Sequence, residues 1–474
     1  MRLILSLLIL IFGLQAAPGM RAGVALVKIT PAVPVWLTGY ALRTHPANSV
    51  LADIFAKALA IEDGRGGRVV IVTTDLIGLP REVSDVAANR IEKRFGLKRS
   101  QILFNSSHTH TGPAIWPNLE IMLDLTREEQ APLREYTAKL TDQLVDVAGE
   151  ALRNSVPAAL SYAQSDAGFA INRRAAVLHK ANPDKEFPAP VDHSVPVLRV
   201  ERQDGSLLAV LFGYACHNTT LTAQFYEVSG DYAGFAQAEL ERAHPGATAL
   251  FLMLCGGDQN PDPRGSHELV MKHAHELAGA VEQTMAGSMR PVRGPVRTAY
   301  QEIELPFAAH SRKQFEEEAS NPDVFRRRRA AAMLRAYDAG NPVATVTYPV
   351  QAVRLQGWTV AALGGEVVVD YALRLKREFP NEPLVVAGYS NVVMSYIPSV
   401  RILNEGGYEA EGAMIYYGLP GRYTNEVEDK VIVAARRVLV QVGAKDARRA
   451  QAPRRTNCLR TEFSGSLRNQ VTLC

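Results

Sequence analysis

The run Phe104-Asn105-Ser106-Ser107-His108-Thr109-His110-Thr111-Gly112-Pro113 holds the residues best suited to chemistry. An apolar stretch over 101–104 leads into two histidines one residue apart, and Gly-Pro closes the run. Residues i and i+2 of extended backbone point to the same side, so His108 and His110 can face one cavity. Imidazole serves as metal ligand and as general acid/base. Two fixed positions make a weak motif, and the plain alternative is a pair of histidines on a polar loop.

Other polar residues stand in the same kind of place. His217, Asp258, Glu366 and Asn391, like His108, each follow a short apolar stretch. In layered α/β folds, ligand-binding and catalytic groups gather on loops beyond strand ends. Two or three histidines plus one carboxylate, from separate strands, make the donor set of a catalytic zinc site with one position open to water. Zinc acidifies that water to a pKa of about 7 and polarises a carbonyl. Spacing alone does not bring remote strand ends together, and a strand-end histidine can also be a satisfied structural residue.

The elements that must position these residues follow from periodicity. Residues 68–77 are nearly all apolar or β-branched and predict a strand covered on both faces. Residues 82–95 have helical spacing with Gly96 as a stop. Stretches 195–200 and 207–214 flank Asp204-Gly205, a hairpin signal. Further strands are expected at 55–61, 101–104, 249–254, 358–363 and 384–387. Helices are expected at 128–152, 232–243, 267–285, 312–337, 367–379 and 425–442. The alternation predicts an α/β fold, a large layered mixed sheet with flanking helices and the active site at strand ends. No internal repeat or low-complexity linker divides the chain, so one catalytic unit is expected over 23–443, with a basic, polar tail over 444–474.

Composition narrows the function class. The 474 residues are 47% hydrophobic and 21% charged, a globular balance. A net charge of +3 is small for this length and argues against nucleic acid as a partner. Arg326-Arg327-Arg328-Arg329 lies near the acidic run 316–318 and reads as a solvated helix face rather than an anion-binding patch. A positive start, an apolar run over 3–14 and small residues over 15–19 predict a secretory signal peptide over 1–22 and an exported protein. Export permits disulfides. Cys458 and Cys474 are the expected pair, while Cys216 and Cys255 read either as buried thiols or as a second bridge.

Taken in order, several motifs resemble the neutral ceramidases, zinc-dependent amidases that split N-acylsphingosine. They are His108 before Thr109-His110-Thr111-Gly112-Pro113, Asn172-Arg173, the His217 strand end and Ser229-Gly230-Asp231. Gly257-Asp258 with Pro261, Gly364-Gly365-Glu366, Asn391-Val392 with Tyr396, and Tyr408-Glu409-Ala410 complete the set. The resemblance implies one zinc ion per chain, held by His108, His217, Glu366 and Tyr396. It implies that His110 sits beside the metal, that Arg173 and Tyr408 face the substrate, and that a zinc-bound hydroxide attacks an amide carbonyl. The implied substrate is a lipid or smaller N-acyl compound, and any membrane contact is peripheral.

Two departures bear on the substrate. The family has serine in Gly-Asp-Val-Ser-Pro-Asn, where this chain has Asn260 in Gly257-Asp258-Gln259-Asn260-Pro261-Asp262. Asparagine is no hydroxyl nucleophile, so Asn260 is expected to hydrogen-bond substrate instead. The family also carries a C-terminal β-sandwich, whereas about 30 residues follow Val442 here. Alternatives are a zinc esterase or other hydrolase on the same scaffold, and a metal-containing binding protein without turnover.

Overall fold

The computed structural model describes residues 19–123 and 125–447. Its centre is a 12-stranded mixed sheet flanked by helices, the layered α/β architecture expected. One path through it runs Leu384–Ala387, Trp358–Leu363, Thr345–Gln356, Arg290–Pro306, Val156–Asp166, Arg21–Lys28, Phe55–Glu62, Arg68–Thr74 and Ile102–Ser106. A branch leaves Val156–Asp166 through the hairpin Ser194–Arg202 and Leu207–Tyr214 and ends on Thr248–Met253.

Three strand-helix-strand units organise the molecule. In the first, helix Arg81–Phe95 joins Arg68–Thr74 to its parallel neighbour Ile102–Ser106. In the second, helix Asp231–Ala243 lies between the parallel strands Leu207–Tyr214 and Thr248–Met253. In the third, helix Val369–Glu378 lies between Trp358–Leu363 and Leu384–Ala387, also parallel. Parallel pairing needs such a crossover. The strands read as continuous apolar runs because both faces are covered; Ile102, Leu103 and Phe104 are fully buried. Each contributes about 1.5–3 kcal/mol by leaving water. The first crossover helix buries Val83, Ala87 and Ile91 on one stripe and stops at Gly96, whose φ of 64° suits glycine.

The carboxyl ends of the three units meet. Asn105 and Ser390 form an isolated bridge, as do Leu254 and Ala387. The buried Asn105 amide clasps the junction. Its Nδ2 donates to the carbonyls of Gly388 (2.8 Å) and Met253 (3.2 Å), and its Oδ1 accepts from Met253 N–H (2.7 Å). This clasp supplies the long-range constraint that sequence spacing lacks.

Several expectations need correction. The helical stretch at 312–337 is two helices, Arg312–Glu318 and Val324–Asp338. Pro322 breaks it, and Asp323 caps the second helix by accepting from Phe325 N–H. The helix expected from 367 begins at Val369, because Glu366–Val367 pairs with Tyr396–Ile397. The long strands Val156–Asp166, Arg290–Pro306 and Thr345–Gln356 were not expected. Asn391 faces away from the site, bonding Arg99 and Gln351.

The arginine run is spent on local contacts, not on an anion-binding patch, but it is not the solvated face expected, since Arg329 is buried. Arg326 and Arg329 pair with Glu318, Arg327 caps the Asn321 and Pro322 carbonyls, and Arg328 reaches the Ile121 carbonyl. Cys216 and Cys255 are free and buried. The strand Arg21–Lys28 begins two residues before the expected boundary, and Ala444 beyond the other boundary is buried. Cys458, Cys474 and most of the expected signal peptide lie outside the described residues.

Candidate active site

Each strand-helix-strand unit delivers one donor. His108 lies two residues past Ile102–Ser106, with a positive φ of 63° that turns it into the junction. His217 follows Leu207–Tyr214, and Glu366 follows Trp358–Leu363. The short parallel ladder Glu366–Val367 with Tyr396–Ile397 sets Glu366 directly opposite Tyr396. All four are almost completely buried.

The geometry brings these donors to one point. Glu366 Oε2 lies 3.0 Å from His108 Nε2 and 3.2 Å from His217 Nε2. The Tyr396 hydroxyl lies 3.2 Å from His217 Nε2. On the far side of each ring, Nδ1 meets a backbone carbonyl: Ile77 at 2.6 Å for His108, and Gly256 at 2.8 Å for His217. A carbonyl only accepts, so both Nδ1 atoms carry the proton and both Nε2 atoms present lone pairs. Imidazoles that bind metal are characteristically oriented in this way.

The two Nε2 lone pairs and the carboxylate make an electron-rich cluster; the Arg173 guanidinium borders it, with Nη1 3.4 Å from His217 Nε2, and its centre suits a proton or one metal ion. Burial, then nearby Arg173, lowers the pKa of His217 to about 4. Burial likewise pushes His110 well below the usual range, helped by His108 and His217. Burial opposes ionisation of Glu366, but the imidazoles of His108 and then His217 outweigh it and hold the carboxyl well below its usual range. Protons are thus disfavoured on His217 and His110, and a metal ion fits this donor set. The nitrogens of His108, His110 and His217 also cluster within 4.8 Å. His110 Nε2 is 3.1 Å from His108 Nε2, and its buried Nδ1 has no partner among the described residues. Gly39 permits this approach, since a Cβ there would lie 2.5 Å from that Nδ1.

Arg173 leans over the donors from the end of the strand Ala170–Asn172. That strand pairs with Gln259–Pro261, which puts Asn260 beside it. Arg173 Nη2 donates to the Tyr396 hydroxyl (2.9 Å), Nη1 to Asn260 Oδ1 (3.2 Å) and Nε to Glu409 (2.8 Å). Burial raises the Tyr396 pKa well above that of a free phenol, so it holds its proton. Tyr408 meets this group through its ring: it lies T-shaped to Tyr396 with centroids 5.5 Å apart, and its face is 5.6 Å from the Arg173 guanidinium. A cavity of about 540 Å³ opens here, lined by His110, Arg173, Asn260, Tyr396 and Tyr408 together with Tyr40, Ile171, Val177 and Arg264.

The loops carrying these groups are themselves tied. Thr109 and Thr111 hydroxyls donate to the Ser229 carbonyl, and Asp231 accepts from Leu221 N–H. Asp258 accepts from Val369 N–H and Asn172, which sets the base of Arg173; burial raises its pKa to about 6.

Three functional positions escaped sequence reasoning. Glu409 pairs with both Arg173 and Arg174. Tyr417 donates its hydroxyl to Glu366 Oε1, leaving Oε2 to the histidines. Asn105 clasps the strand ends. Glu409 stands in a quoted motif, and Asn105 beside the His-X-His pair, but nothing in sequence marks Tyr417.

The model of the family described as "Neutral/alkaline non-lysosomal ceramidase, N-terminal" matches residues 20–323. Neutral ceramidase A of Dictyostelium discoideum is 24% identical over 261 residues, 52% of this chain and 36% of that protein. The neutral ceramidase of Mycobacterium tuberculosis is 26% identical over 220 residues, 43% of this chain and 34% of that protein. These alignments span about a third of each relative's length. The crystal structure of neutral ceramidase from Pseudomonas aeruginosa superposes with a TM-score of 0.70, covering 96% of this chain and 77% of that one at 19% identity.

Proposed function

Because the chain belongs to the neutral/alkaline non-lysosomal ceramidase family, we propose that it is a zinc-dependent amidohydrolase that splits the amide bond of an N-acyl lipid or a related N-acyl compound. The observation that carries this reading is the convergence of two locked Nε2 lone pairs, a buried carboxylate and a tyrosine hydroxyl beside a cavity. His108, His217, Glu366 and Tyr396 would hold the metal. Zinc bound there would act as a Lewis acid toward the carbonyl and lower the pKa of a water.

The remaining chemistry belongs to the side chains. Arg173 keeps a fixed positive charge at the site, with Glu409 and Asn260 holding its orientation. Its guanidinium stabilises the oxyanion that develops as the carbonyl is attacked. His110 is neutral and lines the cavity. Beside His108, it hydrogen-bonds the attacking water and the departing nitrogen and relays a proton between them without storing it, because burial disfavours its charged form. Asn260 and Tyr408 orient the substrate.

Purified protein tests the reading: short-chain N-acyl and O-acyl substrates are offered before and after chelation and zinc repletion. Zinc-restored release of fatty acid from the amide is expected. Ester cleavage alone indicates the esterase, and no turnover at any pH indicates a binding protein. We also propose action after export, supported by the apolar run over 3–14 and the small residues that follow. N-terminal sequencing of protein from the exported fraction checks this; Met1 intact in the cytoplasm contradicts it. No described helix is long and apolar enough to cross a membrane, and the proposed contact with lipid is peripheral.

A further inference from the structure

The amide orientation of Asn260 restricts what the cavity can recognise. Arg173 Nη1 donates to Asn260 Oδ1 at 3.2 Å, so that atom must be the oxygen, because a guanidinium only donates. Asn260 Nδ2 is thereby left as a pure donor on the cavity wall, with no hydrogen-bond acceptor among the described residues. A serine in its place could donate or accept, whereas the amide nitrogen asks for an acceptor on the substrate.

A second observation points the same way. The ionisable groups of the cavity wall outside the ligand cluster include Arg173, Arg174 and Arg264 against Asp262 and Glu409. Glu409 is used up by Arg173 and Arg174, and Arg174 also pairs with Glu405. Arg264 is exposed and has no hydrogen bond or ion pair among the described residues. Asp262 is not within ion-pair distance of it. The wall thus offers a free guanidinium and a free amide donor in one cavity, both suited to an anion, with the exposed Asp262 as its one acidic group likewise unpaired among the described residues.

Resting on the amidohydrolase reading above, we infer that the amine half of the substrate carries a carboxylate, so that the substrate class is the N-acyl amino acids. The carboxylate accepts from Arg264 and from Asn260 Nδ2, while the acyl chain runs out over Ile171 and Val177. A neutral amino alcohol leaves the guanidinium without its anion.

The test uses a matched pair, N-lauroylglycine and N-lauroylethanolamine, with the zinc-loaded full chain and its Arg264→Gln and Asn260→Ser variants. The wild type is expected to favour the glycine conjugate about tenfold or more in kcat/KM. Arg264→Gln should lower that preference by roughly 10- to 100-fold, mainly through KM, as loss of a charge-assisted hydrogen bond does. Asn260→Ser should shift it less, in the same direction. A wild type that favours the ethanolamide, or a preference that Arg264→Gln leaves untouched, overturns the inference while the amidohydrolase reading stands. If neither compound is cleaved, that reading falls. Calorimetric binding of N-lauroylglycine then decides: about tenfold weaker binding to Arg264→Gln supports the carboxylate site, and equal or absent binding overturns it.

Discussion

The two proposed histidine ligands and the Glu366–Tyr396 pair meet at one point but are held there by different means. His108 and His217 come from the first two strand-helix-strand units, and main-chain carbonyls of Ile77 and Gly256 fix their rings. Glu366 and Tyr396 come from the third unit and the loop after it, and other side chains hold them, Tyr417 for one and Arg173 for the other. Main-chain partners survive any neighbouring substitution, while side-chain partners can be exchanged. Under the proposed function, the first half is therefore a rigid scaffold, and the second half is where the properties of a bound metal and oxyanion stabilisation would be tuned. The family model ends at residue 323, before the third unit, so the similarity it detects covers the rigid half.

Breaking the rigid half should have the largest effect. His217→Ala should abolish stoichiometric zinc, seen by elemental analysis, and lower kcat/KM by roughly a thousandfold or more. Full metal retention would defeat the ligand assignment. On the tunable side, Arg173→Gln should lower kcat by about 10²–10³-fold with zinc content preserved, as removal of one oxyanion donor does. Loss of zinc in that variant would recast Arg173 as a support for Tyr396.

The clasp that joins the halves is tested by Asn105→Ala. Four buried side-chain hydrogen bonds disappear, those with the Gly388 and Met253 carbonyls, Ser390 Oγ and Met253 N–H, at roughly 0.5–1 kcal/mol each. Urea unfolding should show a loss of about 3 kcal/mol, and an unchanged midpoint would remove Asn105 from the account. Tyr417→Phe should have the smallest effect. Zinc should bind roughly 10-fold more weakly in chelator competition, as loss of an outer-sphere hydrogen bond does, with kcat at saturating zinc little changed. Unaltered affinity would mean that Glu366 is positioned without it.

Much of this arrangement is legible in the sequence. The buried parallel strands announce themselves as short apolar runs, and His108, His217 and Glu366 stand just beyond three of them. The hairpin at Asp204-Gly205 likewise follows from its turn residues. Two of the three unexpected strands are different in kind, while Thr345–Gln356 is a buried run interrupted by Pro349, Gln351 and Arg354. Arg290–Pro306 is half exposed and contains Pro291, Pro295 and Pro306, and Val156–Asp166 has an irregular pattern of exposure. Neither apolar continuity nor clean alternation marks them. The helical reading of 312–337 failed for a local reason, Pro322. What composition could not show at all is long-range pairing: the reach of Asn105 to Met253 and Gly388, and that of Tyr417 to Glu366. The ligand set itself came from the resemblance, with spacing only permitting it.

The most direct measurement is anomalous diffraction at the zinc edge from crystals of the zinc-loaded chain. The account predicts one peak per chain, about 2.0–2.2 Å from His108 Nε2, His217 Nε2, a Glu366 oxygen and the Tyr396 hydroxyl. A peak bound through His110 with Glu366 and Tyr396 disengaged, or no ordered peak at full zinc loading, would contradict it.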